Sequence, residues 1–161
     1  MDAANLFSVK GRVALVTGGS AGIGRMIATG LAAAGARVYI CARGAEKIAS
    51  AAAEIDGDVF GLAADVSTAD GIATLVAEIA GREKAMHILV NNAGIAVAGL
   101  IHELTLDQWR HQMAVNVDGV FLGVKTSLPL MRRTRSGSII NISSVAGLRG
   151  AANLSAYCTS K

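Results

Sequence analysis

Five runs of apolar, β-prone residues limit the fold of this chain more tightly than any other feature: RVALVT (12–17), RVYICA (37–42), VFGLAA (59–64), HILVNN (87–92) and SIINIS (138–143). None alternates apolar with polar residues in the manner of a strand with one wet face, so burial on both sides is expected. Ala-rich segments of helical character lie between them, near 22–34, 45–55, 68–82 and 105–133. Strand, helix and strand repeated in this way predict an α/β fold, a doubly wound parallel sheet with helices on both faces. A length of 161 residues suits one domain over 1–161, and 52% hydrophobic residues against 17% charged ones supply an ample core.

Helix boundaries carry their own signals. TLDQW, beginning at Thr105, has the Thr-x-x-Gln form of a capping box, and STAD, beginning at Ser67, offers Ser and Asp at a helix entrance. The one proline, Pro129, falls late in the 105–133 segment and is expected to kink or end it. Arg132, Arg133 and Arg135 cluster where that helix should finish, which suits its C-terminal dipole better than an anion patch.

The formal charge of +3 is small and otherwise dispersed, so nucleic acid is not an expected partner. Two cysteines, Cys41 and Cys158, have no zinc or disulfide spacing, and His87, His102 and His111 are scattered, so no metal is expected. The opening MDAANLFSVKGR lacks the basic-then-apolar order of a signal peptide, and no stretch has the ~18 uninterrupted apolar residues of a membrane span. The expectation is a soluble, cytoplasmic protein with no membrane partner.

The first run leads directly into TGGSAGIG (17–24) and then into a helical segment. Gly18, Gly22 and Gly24 let the chain turn sharply, bring backbone N–H groups near a pyrophosphate and pack the helix on the sheet. Placement between a first strand and a first helix turns a weak glycine pattern into a strong one for a dinucleotide.

Thr-Gly-x-x-x-Gly-Ile-Gly in this position resembles the short-chain dehydrogenase/reductase family. The resemblance continues through DV at Asp65, NNAG at 91–94, NV at Asn116, ISS ending at Ser144 and YCTSK at 157–161, in family order and over the whole chain. Within the family the chain looks most like 3-oxoacyl-(acyl carrier protein) reductase-like enzymes, including rhamnolipid-type ketoacyl reductases, with tropinone reductases a further relative. The resemblance implies a Rossmann-like fold of which these residues make the N-terminal five of normally seven strands. The C-terminal part, with two further strands, the substrate lid and the helices of a homo-oligomer, is then expected to be missing after Lys161, which would leave the fifth strand as a bare edge of the sheet.

For the cofactor, the resemblance implies that Gly18, Ser20, Gly22, Ile23 and Gly24 hold it, that Asp65 receives the adenine amino group and that Val66 adds a backbone contact. Asn91 is implied to steady the sheet, while Ala93 and Gly94 pass close to the cofactor. Read without the family, Asp65 is a helix-entrance acid and NNAG a turn. After the second run, Ala42 stands where NAD enzymes of the family carry Asp, and Arg43 follows. An absent acid and an available guanidinium favour NADP(H), with NAD(H) possible, although Ala21 occupies the loop position where many NADP enzymes are basic. A solvated surface arginine is the plainer reading of Arg43.

Reduction of a ketone needs a hydride at carbon and a proton at oxygen. A free phenol ionises near pH 10, so a fixed cation beside it is the usual way to make it an acid–base group near neutrality. Tyr157 and Lys161, four apart on a helix, share a face. The resemblance makes Tyr157 the acid, Lys161 its cation and the holder of the nicotinamide ribose, and Ser144, thirteen residues before Tyr157, the hydrogen-bond donor to the developing alkoxide, ahead of Ser143. Asn116 is implied to hold a relay water through its backbone carbonyl and side chain; alone it reads as a helix-distorting core amide. The implied activity is reduction of a small-molecule ketone, a 3-oxoacyl thioester among the candidates, to a secondary alcohol. The alternative is a truncated nucleotide-binding fragment without turnover.

Overall fold

Successive residues of β1 (Val13–Thr17) feed two separate cores, because side chains alternate across a strand. Val13 and Leu15 join one cluster and Ala14 and Val16 the other. The computed structural model describes residues 6–134 and 136–161. After β1 come α1 (Gly22–Ala33), β2 (Arg37–Ala42), α2 (Ala45–Ala53), β3 (Val59–Ala63), α3 (Ala69–Arg82), β4 (Ile88–Asn91) and α4 (Leu106–Met113). A π-helical turn (Ala114–Asp118), α5 (Gly119–Met131), a 3-10 turn (Arg132–Thr134), β5 (Ser138–Asn141), a second 3-10 turn (Val145–Gly147) and α6 (Ser155–Ser160) follow.

The five strands form one sheet in the order β3-β2-β1-β4-β5, with every pairing parallel. On one face Leu15, Tyr39 and Leu62 meet Ile72, Leu75 and Ile79 of α3 and Leu130 of α5. On the other, Val16, Ile40 and Val90 meet Ala28 and Ala32 of α1 and Ile48 and Ala51 of α2. The alanines let those helices lie close to the sheet, and each buried Leu, Ile or Val contributes about 1.5–3 kcal/mol. The expected Rossmann-like α/β architecture is the one observed.

β5 is the bare edge that the resemblance implied: among the described residues it pairs with β4 alone and is exposed along its length, with Ile139 38% and Ile140 44% accessible, so its apolar run is not buried on both faces. Other expectations change in detail. The 105–133 helix is interrupted: the Gly119 N–H reaches back five residues to the Ala114 carbonyl, making the π turn that holds Asn116. Pro129 does not stop α5, which continues to Met131. Pro129 forfeits one N–H bond to the preceding turn, and the helix runs two residues further before the chain tightens into the turn bearing Arg132 and Arg133. Arg135 and residues 1–5 lie outside the described residues.

The capping box is present as expected, with Thr105 Oγ1 accepting from Gln108 N–H at 3.2 Å and Gln108 Oε1 from Thr105 N–H at 2.9 Å. At α3 the cap is Thr68 rather than Ser67: Thr68 Oγ1 accepts from Gly71 N–H at 3.1 Å, while Ser67 turns back to Asp65.

Candidate functional site

In an open parallel sheet, a crevice forms beyond the carboxyl ends of the strands where neighbouring connections leave in opposite directions. Here that point lies between β1 and β4, the first continuing toward β2 and the second toward β5. The loops after both strands are stitched together. Thr17 Oγ1 accepts from the N–H groups of Asn92 and Ala93, each at 3.0 Å, and Asn92 Nδ2 donates to the Thr17 carbonyl at 2.8 Å. Thr17 and Asn92 both lie in the motifs read from the sequence, but their partnership was not foreseen because it spans 75 residues.

The glycine loop fits against this stitch. Gly18 and Gly22 have φ of +68° and +54°, the left-handed region that side chains avoid. A Cβ on Gly24 would collide with Asn92 Nδ2 and the Gly18 carbonyl. α1 begins here with no acidic residue in its first turn, and a Cβ on Gly22 would meet nothing within 4 Å. The exposed N–H groups of the helix therefore face open space, an arrangement suited to an anion.

Two hollows run along the strand ends and share Gly18, Ala93, Gly94 and Ile95, forming a continuous groove. One end is lined by Ser20, Ala42, Arg43, Asp65 and Val66. The other is lined by Ile23, Gly24, Ser144, Tyr157 and Lys161. Thus Gly18, Ser20, Ile23, Gly24, Arg43, Asp65, Val66, Ala93, Gly94, Ser144, Tyr157 and Lys161 all border one groove. Gly22 is exposed and does not line either hollow, although it lies between Ala21 and Ile23, which do. Asn91 lies beneath, buried, with Nδ2 donating to Asn141 Oδ1 across β4 and β5 at 2.9 Å.

At the first end, Asp65 Oδ1 accepts from the Ser67 hydroxyl at 2.7 Å and the Ser67 N–H at 2.9 Å. These bonds, with smaller help from the charges of Arg43 and His111, hold its carboxyl below the usual range. Asp65 is therefore both a turn former and an ionised acceptor facing the groove. Arg43 is exposed beside it. Burial pushes the neighbouring Cys41 thiol up to about 12, so thiolate chemistry at neutral pH is excluded there.

At the second end, Tyr157 sits in α6 and Lys161 directly follows it. Lys161 Nζ donates to the Ile142 carbonyl at 3.0 Å and stands 5.9 Å from the Tyr157 ring centre. Ser144 lies three residues beyond β5, capping the second 3-10 turn, where its Oγ accepts from Ala146 N–H at 3.2 Å. Its hydroxyl hydrogen is left for another acceptor. The rival Ser143 instead donates its hydroxyl to the Lys161 carbonyl at 2.9 Å.

Asn116 borders neither end of the groove. Its Oδ1 accepts from Ile95 N–H at 2.8 Å, and Nδ2 donates to the Ile95 carbonyl at 2.9 Å and to Ser160 Oγ at 2.8 Å. Both amide hydrogens are thereby used on protein atoms, where the sequence suggested a side chain holding water. Gln112 and Ser160, also unmarked in the sequence, complete this buried polar cluster.

An extended ligand with an anionic middle, a donor at one end and a reactive group at the other fits this groove: a dinucleotide has that form. A family model described as short chain dehydrogenase matches residues 12–161. The rhamnolipids biosynthesis 3-oxoacyl-(acyl-carrier-protein) reductase of Pseudomonas aeruginosa is 44% identical over 148 residues, 88% of this chain and 58% of that protein. Among solved structures, the Pseudomonas aeruginosa RhlG/NADP active-site complex superposes with a TM-score of 0.89 at 42% identity, covering 96% of this chain and 63% of that one. A short chain dehydrogenase/reductase from Burkholderia phymatum in complex with NAD gives a TM-score of 0.92 at 29% identity, covering 96% of this chain and 57% of that one. The chain spans less than two thirds of the length of each of the three.

Proposed function

The chain belongs to the short-chain dehydrogenase/reductase family, and from that premise we propose that it is the nucleotide-binding and proton-donating part of an NADP(H)-dependent reductase. Its substrate is a ketone, with a 3-oxoacyl thioester the favoured class, and its product a secondary alcohol. The observation that carries this reading is the convergence of Ser144, Tyr157 and Lys161 on the same groove as the glycine loop and Arg43.

When bound, the reduced nicotinamide supplies the hydride. The glycine loop and the first turn of α1, with Gly18, Ser20, Gly22, Ile23 and Gly24, would receive the pyrophosphate, and Asp65 and Val66 the adenine. Arg43 would pair with a 2′-phosphate where Ala42 leaves no acid to repel it. Ser144 turns its free hydroxyl hydrogen to the ketone oxygen, and Tyr157 donates a proton to the same oxygen as it becomes an alkoxide. Lys161 would supply positive charge beside the phenolate left behind, and Asn116, whose amide hydrogens are both bonded to protein atoms, would contribute to a water relay through its backbone carbonyl.

The names of the Pseudomonas relatives support both the cofactor and the oxoacyl class. The family also supports a homo-oligomeric, cytoplasmic protein; among the described residues no helix is long and apolar enough to cross a membrane.

The test is NADPH oxidation by the intact protein with acetoacetyl-CoA and a panel of simple ketones, followed by absorbance, against NADH as control. Turnover that prefers NADPH is expected. Tight NADPH binding with no turnover on any ketone, or in reverse on any secondary alcohol, would replace this reading with a nucleotide-binding protein.

A further inference from the structure

We propose that Gln112 is a positioning residue which, through Ser160, holds the loop after β4 and the helix bearing Tyr157 in one register. It thereby sets where Tyr157 and Lys161 stand against the bound nucleotide, an inference that rests on the reductase reading above.

Gln112 is fully buried in α4, where an apolar residue of the same size would satisfy packing alone. A buried amide is tolerated only when its polar atoms are bonded. Its Oε1 accepts from Val97 N–H at 2.6 Å and its Nε2 donates to Ser160 Oγ at 3.3 Å. Asn116, four residues on, grips Ile95 by N–H and carbonyl and reaches the same Ser160 Oγ. Two amides about one turn apart thus hold alternate residues of one loop and meet on one hydroxyl.

That hydroxyl is fully used. It accepts from Gln112 and Asn116 and donates to the Tyr157 carbonyl at 3.0 Å. Ser160 directly precedes Lys161, while Ile95 borders both ends of the groove and Ala96 the Tyr157 end. A Cβ on Gly94 would lie 3.2 Å from Lys161 Nζ and 3.4 Å from Asn116 Oδ1, so loop and lysine are already in close register. Neither the loop nor α6 can shift alone without unpairing a buried group.

Amide hydrogen exchange on the intact protein with bound NADPH tests this, alongside steady-state kinetics. Q112M, similar in size and without the amide, should speed exchange at least tenfold in 95–97 and also in 157–161, with β1 and β2 unchanged. Its kcat should fall about tenfold while the NADPH Kd stays within twofold. S160A should free 157–161 while Val97 stays protected, and it decides the matter if Q112M loosens the whole fold. Faster exchange confined to 95–97 in Q112M, with kcat unchanged, overturns the proposal, as does wild-type protection of 157–161 in S160A. The expected exchange pattern in a protein that reduces no ketone would sink the reductase reading and leave the coupling standing.

Discussion

Lys161 Nζ stands 5.9 Å from the centre of the Tyr157 ring while its ammonium is anchored to the Ile142 carbonyl. The lysine is thus fixed to the backbone just beyond β5, with its ammonium near the Tyr157 ring of α6. Removing the phenol oxygen should abolish proton donation and leave the nucleotide groove intact. Tyr157→Phe should lower kcat by about 10²- to 10⁴-fold, the usual range for a general acid. Its NADPH affinity, measured by fluorescence titration, should change less than about twofold, and wild-type turnover would refute the role given to Tyr157.

Arg43 borders the end of the groove opposite Tyr157, next to Ala42. A charge-assisted contact to a phosphate contributes about 1.5–3 kcal/mol, roughly 10- to 100-fold in affinity. Arg43→Ala should weaken NADPH by that factor and NADH by less than about threefold. Because Arg43 is exposed, added salt should also erode the wild-type preference. Equal losses for both nucleotides would assign Arg43 to the solvated surface.

Two glycines of α1 should respond to alanine with opposite signs. At Gly24 the new Cβ would press on Asn92 Nδ2 and the Gly18 carbonyl, forcing apart the stitch between the loops. Gly24→Ala should cost about 1–3 kcal/mol and weaken nucleotide binding. At Gly30 a Cβ meets nothing within 4 Å in a helical interior, so Gly30→Ala should stabilise by about 0.5–1 kcal/mol. Urea unfolding of both variants checks the pair; destabilisation by Gly30→Ala would show that the helix surface there is not free.

What could be read from the sequence follows the range of each interaction. The glycine loop, the Thr105 to Gln108 box and the position of Arg43 depend on neighbours within a few residues, and each was legible. The sheet followed from short unbroken apolar runs between helical segments, a pattern that is itself local. Gln112 and Ser160 were not legible because they meet across 48 residues, and neither residue type is unusual where it stands. The reading of Asn116 as a helix-distorting amide pointed to the interruption but not to its π form, because a bond five residues back has no side-chain signature. Exposure of Ile139 and Ile140 follows from the edge that β5 occupies, which the family order implied and the apolar run by itself did not.

Val13 and His87 exchange two hydrogen bonds at the other end of the sheet, which makes stability there depend on pH. His87 Nδ1 accepts from Val13 N–H at 3.1 Å, and the His87 N–H donates to the Val13 carbonyl at 2.9 Å. A protonated Nδ1 cannot accept, and burial together with the nearby Arg12 charge holds the imidazole below its ordinary value of 6.5. The unfolded chain therefore takes up this proton first as pH falls. The stabilisation is complete above about pH 6.5 and is lost progressively below it, toward the lower value of the folded state, with a slope no steeper than about 1.4 kcal/mol per pH unit. His87→Asn offers an amide oxygen that does not titrate, so it should remove this component. Urea unfolding between pH 7.5 and 5 should show wild-type stability falling relative to His87→Asn, and parallel curves would mean that His87 makes no use of its neutral form.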